Sequence, residues 1–138
     1  MNPTTVATLY RDLGELAAAT TEPKWDGTDA CKAIGVRQWK DALRLALLVH
    51  DAAEWLPVPT AGADPLGFIW LTWEAASGAR VVCKVNPSLI GKRITWTARR
   101  DGMDRDFSAD HARDLIESLR ATFPRALILV PQSTQAAA

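Results

Sequence analysis

The chain has 138 residues, and its 16 acidic and 16 basic side chains give a formal net charge of zero. This balance argues against strong non-specific binding to nucleic acid, which a basic excess favours. Two cysteines are too few for a disulfide framework, and no apolar run approaches the roughly 20 residues of a membrane span. We therefore expect one cytoplasmic domain over residues 1–138, with reduced thiols, no membrane association, and frayed tails at 1–3 and 132–138.

Two helices are predicted in the N-terminal half, where apolar residues recur at spacings of three and four. The first runs from Thr5 to Ala19, with Thr4 as its N-cap. The second runs from Val36 to Trp55 and is apolar around much of its circumference, which indicates a buried helix. The segment Leu56-Pro57-Val58-Pro59 is expected to end it.

A polar turn lies between these helices. Trp25 stands directly before Asp26-Gly27-Thr28-Asp29, where Asp-Gly suits a tight turn and both aspartates can accept bonds from backbone amides. We expect Trp25 to be buried in the core and to anchor the turn. A second interpretation pairs Asp26 with Asp29 for acid–base chemistry on a sugar that stacks on Trp25.

Three consecutive β-strands are predicted after the second helix, over Phe68–Glu74, Arg80–Val85 and Lys92–Ala98. The first is apolar on both faces, which predicts a central strand. The turn residues Asp101-Gly102 then predict a second hairpin into a short fourth strand, Met103–Phe107.

A third helix is predicted from Ala109 to Phe123, with Ser108 as its N-cap and a clear apolar stripe. A short apolar run at Ala126–Val130 is a candidate for one more strand. The order of elements predicts an α+β fold, with two N-terminal helices, an antiparallel meander of three to four strands, and a C-terminal helix packed on the sheet.

The order of these motifs resembles that of a group of short bacterial proteins. Trp25-Asp26-Gly27-Thr28-Asp29-Ala30 is similar to their W-D-G-x-G-A turn, and Gly67-Phe68-Ile69-Trp70-Leu71-Thr72-Trp73 to their G-x-I-x-L-x-W strand. A helix and a Leu/Pro-rich exit separate the two motifs, and Asp29 stands where those proteins usually have glycine. No activity is established for the group. The resemblance therefore implies a bacterial protein with this element order and transfers no catalytic residue.

Candidates for chemistry are few. His50 and Glu54 are four residues apart, a spacing that suits a metal or acid–base pair on a helix, and Asp110 and Asp114 repeat that spacing. Zinc sites need three or four ligands, whereas the chain has two histidines and two cysteines. Structural roles explain both pairs more simply. We predict no catalytic residue, no metal and no cofactor, and keep a small metal-dependent hydrolase as the second alternative.

The candidate partner-binding residues lie on and after the third predicted strand: Lys92, Arg93, Trp96, Arg99, Arg100 and Arg105. Because arginine and tryptophan dominate interface energetics, the leading hypothesis is a non-catalytic bacterial protein that binds another protein. An immunity protein, an antitoxin or an accessory subunit would have such a role.

The first alternative is a nucleic-acid-binding module that grips a single strand with the same basic hairpin, residues 92–105. Asp101, Asp104 and Asp106 alternate with the arginines and would screen them. The alternation of Ile94, Trp96 and Ala98 favours a Trp96 that points into the core.

Overall fold

Three helices and five antiparallel strands form the fold in a computed structural model that describes residues 3–85 and 94–125. In chain order the elements are α1 (Pro3–Thr20), α2 (Val36–Ala52), β1 (Thr60–Ala63), β2 (Ile69–Glu74), β3 (Arg80–Val85), β4 (Ile94–Arg100), β5 (Met103–Ala109) and α3 (Ala112–Thr122). The strands lie in the sheet in the same order, β1-β2-β3-β4-β5. The predicted α+β class is confirmed, with five strands instead of three to four.

The helices pack on one face of the sheet. Register places Leu71 opposite Cys83 and Cys83 opposite Trp96, so these side chains share that face. Helix α1 contacts β1, α2 contacts β2 and β3, and α3 contacts mainly β4. We call this the helix-covered face. The opposite face, which we call the open face, carries Trp70, Thr72, Glu74, Arg80, Val82, Lys84, Thr95, Thr97, Arg99, Asp104, Asp106 and Ser108, and no described helix covers it.

The core fills the space between the helix-covered face and the helices. Ile69, Leu71 and Trp73 alternate along β2 and are at most 1% exposed. The helices add a larger set to the same cluster: Leu9, Leu13, Ala42, Leu43, Ala46, Val49, Leu115 and Leu119. None of the described helices combines the length and apolar character that crossing a membrane requires.

Helix α2 ends at Ala52, three residues before its predicted end. Ala53 leaves the helical conformation, and its N–H bonds the carbonyl of Val49. Trp55 lies beyond the helix, where its Nε1 donates to the carbonyl of Phe123 at 3.1 Å. A bond to the distant α3 segment thus replaces the last helical turn that the sequence pattern favours.

Strand β5 is longer than predicted, and this displaces the start of α3. Ser108 pairs with Thr95, so it lies in a strand and does not cap the helix. Helix α3 begins at Ala112, with His111 in the N-cap position. Cross-strand pairing with β4 therefore outweighs the local preference of serine for a cap.

Edge strand β1 lies in a segment between α2 and β2 for which the sequence pattern predicts no strand. Its residues Thr60–Ala63 are mostly small and carry little strand propensity, so only pairing with β2 reveals it. Asp64 closes the following turn, since its carboxylate accepts bonds from the backbone N–H groups of Leu66 and Phe68. The same carboxylate accepts a 2.7 Å bond from Nε1 of Trp70.

Trp25 does not reach the core, so that prediction was wrong. The side chain is half-buried, and its Nε1 donates to the carbonyl of Lys32 at 2.9 Å. The predicted turn is present: Asp26 accepts bonds from the backbone N–H and the hydroxyl of Thr28, which lower its pKa. Trp25 therefore fixes the loop through a hydrogen bond and not through burial in the core.

Several predictions lie outside the described residues. These are the start of the third strand at Lys92 and Arg93, the apolar run Ala126–Val130, and the frayed tail at 132–138. Pro3, which was expected in the other frayed tail, is the first residue of α1.

Candidate functional site

The predicted arginines fall on two sides of the β4–β5 hairpin. Its two loop residues have positive φ, 52° at Asp101 and 75° at Gly102, as in a type I′ turn. Because side chains alternate along a strand, Arg99 lies on the open face, whereas Arg100 and Arg105 lie on the helix side. The sequence cluster is therefore not one basic patch.

Trp96 faces the core, in the direction that the alternation favours. It is 5% exposed and stacks on Phe107, with ring centroids 5.7 Å apart and planes inclined by 13°. Its Nε1 donates to the hydroxyl of Ser118 on α3 at 3.0 Å. The ring is thus on the opposite side of the sheet from Arg99.

The charge of Arg99 is paired within the hairpin. Its Nε and one terminal nitrogen bond the two carboxylate oxygens of Asp104, at 2.9 and 3.4 Å. Beside this pair, the Thr97 hydroxyl donates to Asp106 at 2.7 Å. Arg100 and Arg105 are exposed, and neither forms an ion pair with a carboxylate in residues 3–85 or 94–125.

The centre of the open face consists of residues that sequence reasoning did not select. Trp70 is half-buried and lies opposite Lys84, whose Nζ is 5.4 Å from the Trp70 ring and 3.7 Å from the Phe68 ring. Both distances are within cation–π range. A shallow cavity of about 410 Å³ extends from here across Val82 and Thr97.

The sequence of β2 contained a signal for this surface, although the pattern predicted only that the strand is central, and β2 does lie between β1 and β3. Phe68, Trp70 and Thr72 alternate with the buried Ile69, Leu71 and Trp73, and two apolar faces are typical of a strand covered on both sides. In the structure only the second set is covered by helices. The threonines on the open face of β2 and β4 are the better signal, since they suit a strand surface that remains partly hydrated.

Charge on the open face is balanced. Its basic residues are Arg80, Lys84 and Arg99, and its acidic residues are Glu74, Asp104 and Asp106. Glu74 pairs in register with Arg80, as Arg99 does with Asp104. This pattern differs from the continuous basic groove that tracks a nucleic-acid backbone.

The His50–Glu54 pair does not lie on one continuous helix, as its spacing implied. His50 is 7% exposed near the end of α2, whereas Glu54 lies beyond the helix. Asp26 bonds Thr28 and Asp29 pairs with Lys24 at 2.7 Å, so the carboxylates of that turn have separate partners. Within the described ranges, no three His, Cys, Asp or Glu side chains are grouped to hold a metal ion.

The thiol of Cys83 is expected to be unreactive in the native protein. Burial on the helix-covered face raises the pKa of Cys83 to about 12. The thiolate is the nucleophile, so at about pH 8 almost none is available. In a Cys31→Ala variant, we expect Ellman's reagent to label no thiol in buffer and one thiol in urea. Prompt labelling of the folded variant would contradict the buried position of Cys83.

Comparison with known proteins adds no assignment: the chain matches no protein-family model and is not significantly similar to any curated protein or solved structure. The open face and the β4–β5 hairpin therefore carry the argument for function.

Proposed function

We propose that this chain is a non-catalytic bacterial protein that binds another protein through the open face. The observation that carries the proposal is the half-buried Trp70 on β2, beside Val82 and Lys84, on a sheet face without a described helix on it. A large aromatic residue in that position supplies the kind of anchor that dominates interface energetics. An immunity protein, an antitoxin or an accessory subunit would present such a surface.

The rim of the open face supports a protein partner. Protein interfaces combine an apolar centre with a polar, solvated rim. Here the apolar centre is flanked by Glu74, Arg80 and the Arg99–Asp104 pair. Arg100 lies at the end of the hairpin on the helix side of the sheet, where its exposed guanidinium can pair with a carboxylate of a partner that extends past the hairpin end.

A cytoplasmic setting is part of the proposal. Cys31 and Cys83 are both buried and free, which suits a reducing compartment. The bacterial setting rests on the resemblance of the turn and strand motifs.

Binding of single-stranded nucleic acid is the second candidate. The observation that favours it is the group formed by Phe68, Trp70 and Lys84, because aromatic and basic side chains on a sheet can stack bases and hold phosphates. The equal numbers of acidic and basic residues on the same face favour a protein. Salt separates the two: affinity for nucleic acid falls by orders of magnitude between about 50 and 200 mM salt.

The test begins with the partner that a tagged full-length chain captures from its source cells, identified by mass spectrometry. We expect Trp70→Ala to weaken binding of that purified partner by about 30-fold, as for a central anchor. Arg99→Ala combined with Arg100→Ala should weaken binding by about tenfold through loss of charge pairing at the rim and at the end of the hairpin.

Tyr10→Ala is the matched control, because Tyr10 is an exposed aromatic residue on α1, away from the open face. It should bind as the wild type does. Trp70→Phe separates the roles of the ring and its bond to Asp64, since it retains an aromatic surface without the Nε1 donor. A Trp70→Ala variant that melts normally and binds the partner as tightly as the wild type would exclude the open face.

A further inference from the structure

Strand β5 is an edge of the sheet, with β4 as its one neighbour among the described strands. Arg100 and Met103 close the two-residue turn, so β5 residues of odd number exchange backbone hydrogen bonds with β4. The backbone N–H and C=O groups of Asp104, Asp106 and Ser108 then point outward. No described backbone group bonds them.

The side chains agree with this assignment. In an antiparallel ladder, side chains are closer at the pairs that do not exchange backbone hydrogen bonds. The two cross-strand side-chain bonds of the hairpin, Arg99 to Asp104 and Thr97 to Asp106, both occur at such pairs. The edge without a backbone partner among the described residues therefore spans the middle of β5.

A groove runs beside this edge on the helix side. Helix α3 lies mainly over β4, and a cavity of about 350 Å³ remains between α3 and β5. Trp96 and Phe107 line it with their stacked rings, and Asp114 and Glu117 line it from α3. Arg100 also lines it, so the two carboxylates exceed the basic side chains of the groove by one charge. The two carboxylates are three residues apart, so they are neighbours on one side of the helix.

We propose that an extended segment of the partner protein adds to β5 as a sixth strand and places a lysine or arginine side chain in this groove. Strand addition obtains affinity from backbone hydrogen bonds and specificity from pockets for alternate side chains. The aliphatic stem would pack on Phe107 and the cationic group would reach Asp114 and Glu117. This inference rests on the proposed function in taking a protein as partner.

Charge argues against a second copy of the chain as the occupant. A second copy would pair its β5 antiparallel to this β5, through the residues whose backbone groups point outward. Every register with extensive overlap then places two aspartates opposite each other. Asp106 meets itself in the central register, and the adjacent registers pair Asp104 with Asp106 or with Asp110. Like charges directly opposite destabilise strand pairing.

The test uses a phage-displayed library of random dodecapeptides, selected on the full-length chain. We expect the enriched peptides to show the alternating residue pattern of a β-strand, with a lysine or arginine among the side chains that face the groove. Bound to ¹⁵N-labelled protein, such a peptide should shift the amide signals of Asp104, Asp106 and Ser108 more than those of the open-face residues of β2.

Two substitutions should weaken the selected peptide by about tenfold or more. Asp106→Pro removes an outward N–H at an edge position where proline is tolerated. Glu117→Lys reverses a charge that lines the groove. The matched control is Glu15→Lys, an exposed charge reversal on α1, which should leave affinity unchanged.

Several results would overturn the inference: no enriched peptide, a peptide indifferent to Asp106→Pro, or amide shifts confined to the open face. Ile128→Asp in the full chain tests whether the chain's own C-terminal segment occupies the β5 edge. If this substitution raised peptide affinity tenfold, that segment would be the occupant that competes with the peptide. A captured partner that needs Trp70 but not Asp106 would refute strand addition and leave the proposed function intact.

Discussion

Trp73→Ala is expected to lower the free energy of unfolding by about 3–5 kcal/mol, because it empties a large site in the core. Trp73 is 1% exposed and lies on the helix-covered face of β2, opposite Val81. A loss of this size is a large part of the roughly 5–15 kcal/mol that stabilises a domain. Urea melts followed by circular dichroism would measure it.

Trp70→Ala is the control on the same strand. Trp70 is half-buried on the open face, so its truncation removes less buried surface and one hydrogen bond to Asp64. We expect its cost to be smaller by about 1–2 kcal/mol. Equal losses in the two variants would mean that the open face is covered as thoroughly as the core, and would contradict the proposed binding surface.

Strong periodicity made much of the fold predictable. Strand β3 was predicted with its observed bounds, and the burial of Val81 and Cys83 follows from their alternation. The apolar stripe of α3 likewise identified Leu115 and Leu119 as core residues. These segments have local patterns that agree with their tertiary contacts.

The failures occur where a distant contact decides the conformation. Strand β1 has little strand propensity and exists through its pairing with β2. Ser108 is a good helix cap in isolation, but pairing with Thr95 retains it in β5. Trp25 was expected in the core because tryptophan is large and apolar, yet its Nε1 bond to Lys32 holds it at the surface loop. In each case the interaction partner lies outside the local sequence window from which the conformation was predicted.

The candidate site was predictable in part for the same reason. Alternation was enough to orient Trp96 towards the core. Composition marked the hairpin as basic, but its arginines lie on two sides of the sheet and its aspartates balance them. The ion pair of Arg99 with Asp104 needed the register of β4 and β5. Predicting the open face required knowing where every helix packs, and the pattern of a single strand does not contain that information.

Gln38 is a buried polar residue whose role no sequence pattern predicts, and it helps to determine how α2 is arranged on the sheet. It lies on α2, is 7% exposed, and its Nε2 donates to the carbonyls of Gly67 and Val85, at 2.5 and 3.3 Å. Both partners are acceptors, so the amide nitrogen must face them. One side chain thus ties α2 to the turn before β2 and to the end of β3.

Gln38→Met is therefore expected to lower the free energy of unfolding by about 2–3 kcal/mol, since it preserves volume but removes the donor to the buried Gly67 carbonyl and the half-buried Val85 carbonyl. Arg37→Met, at the exposed neighbouring position on α2, controls for methionine on the helix and should change stability by less than about 0.5 kcal/mol. Urea melts of both variants would measure the difference. Equal stabilities would show that water or another donor satisfies the two carbonyls, and that packing alone sets the position of α2 on the sheet.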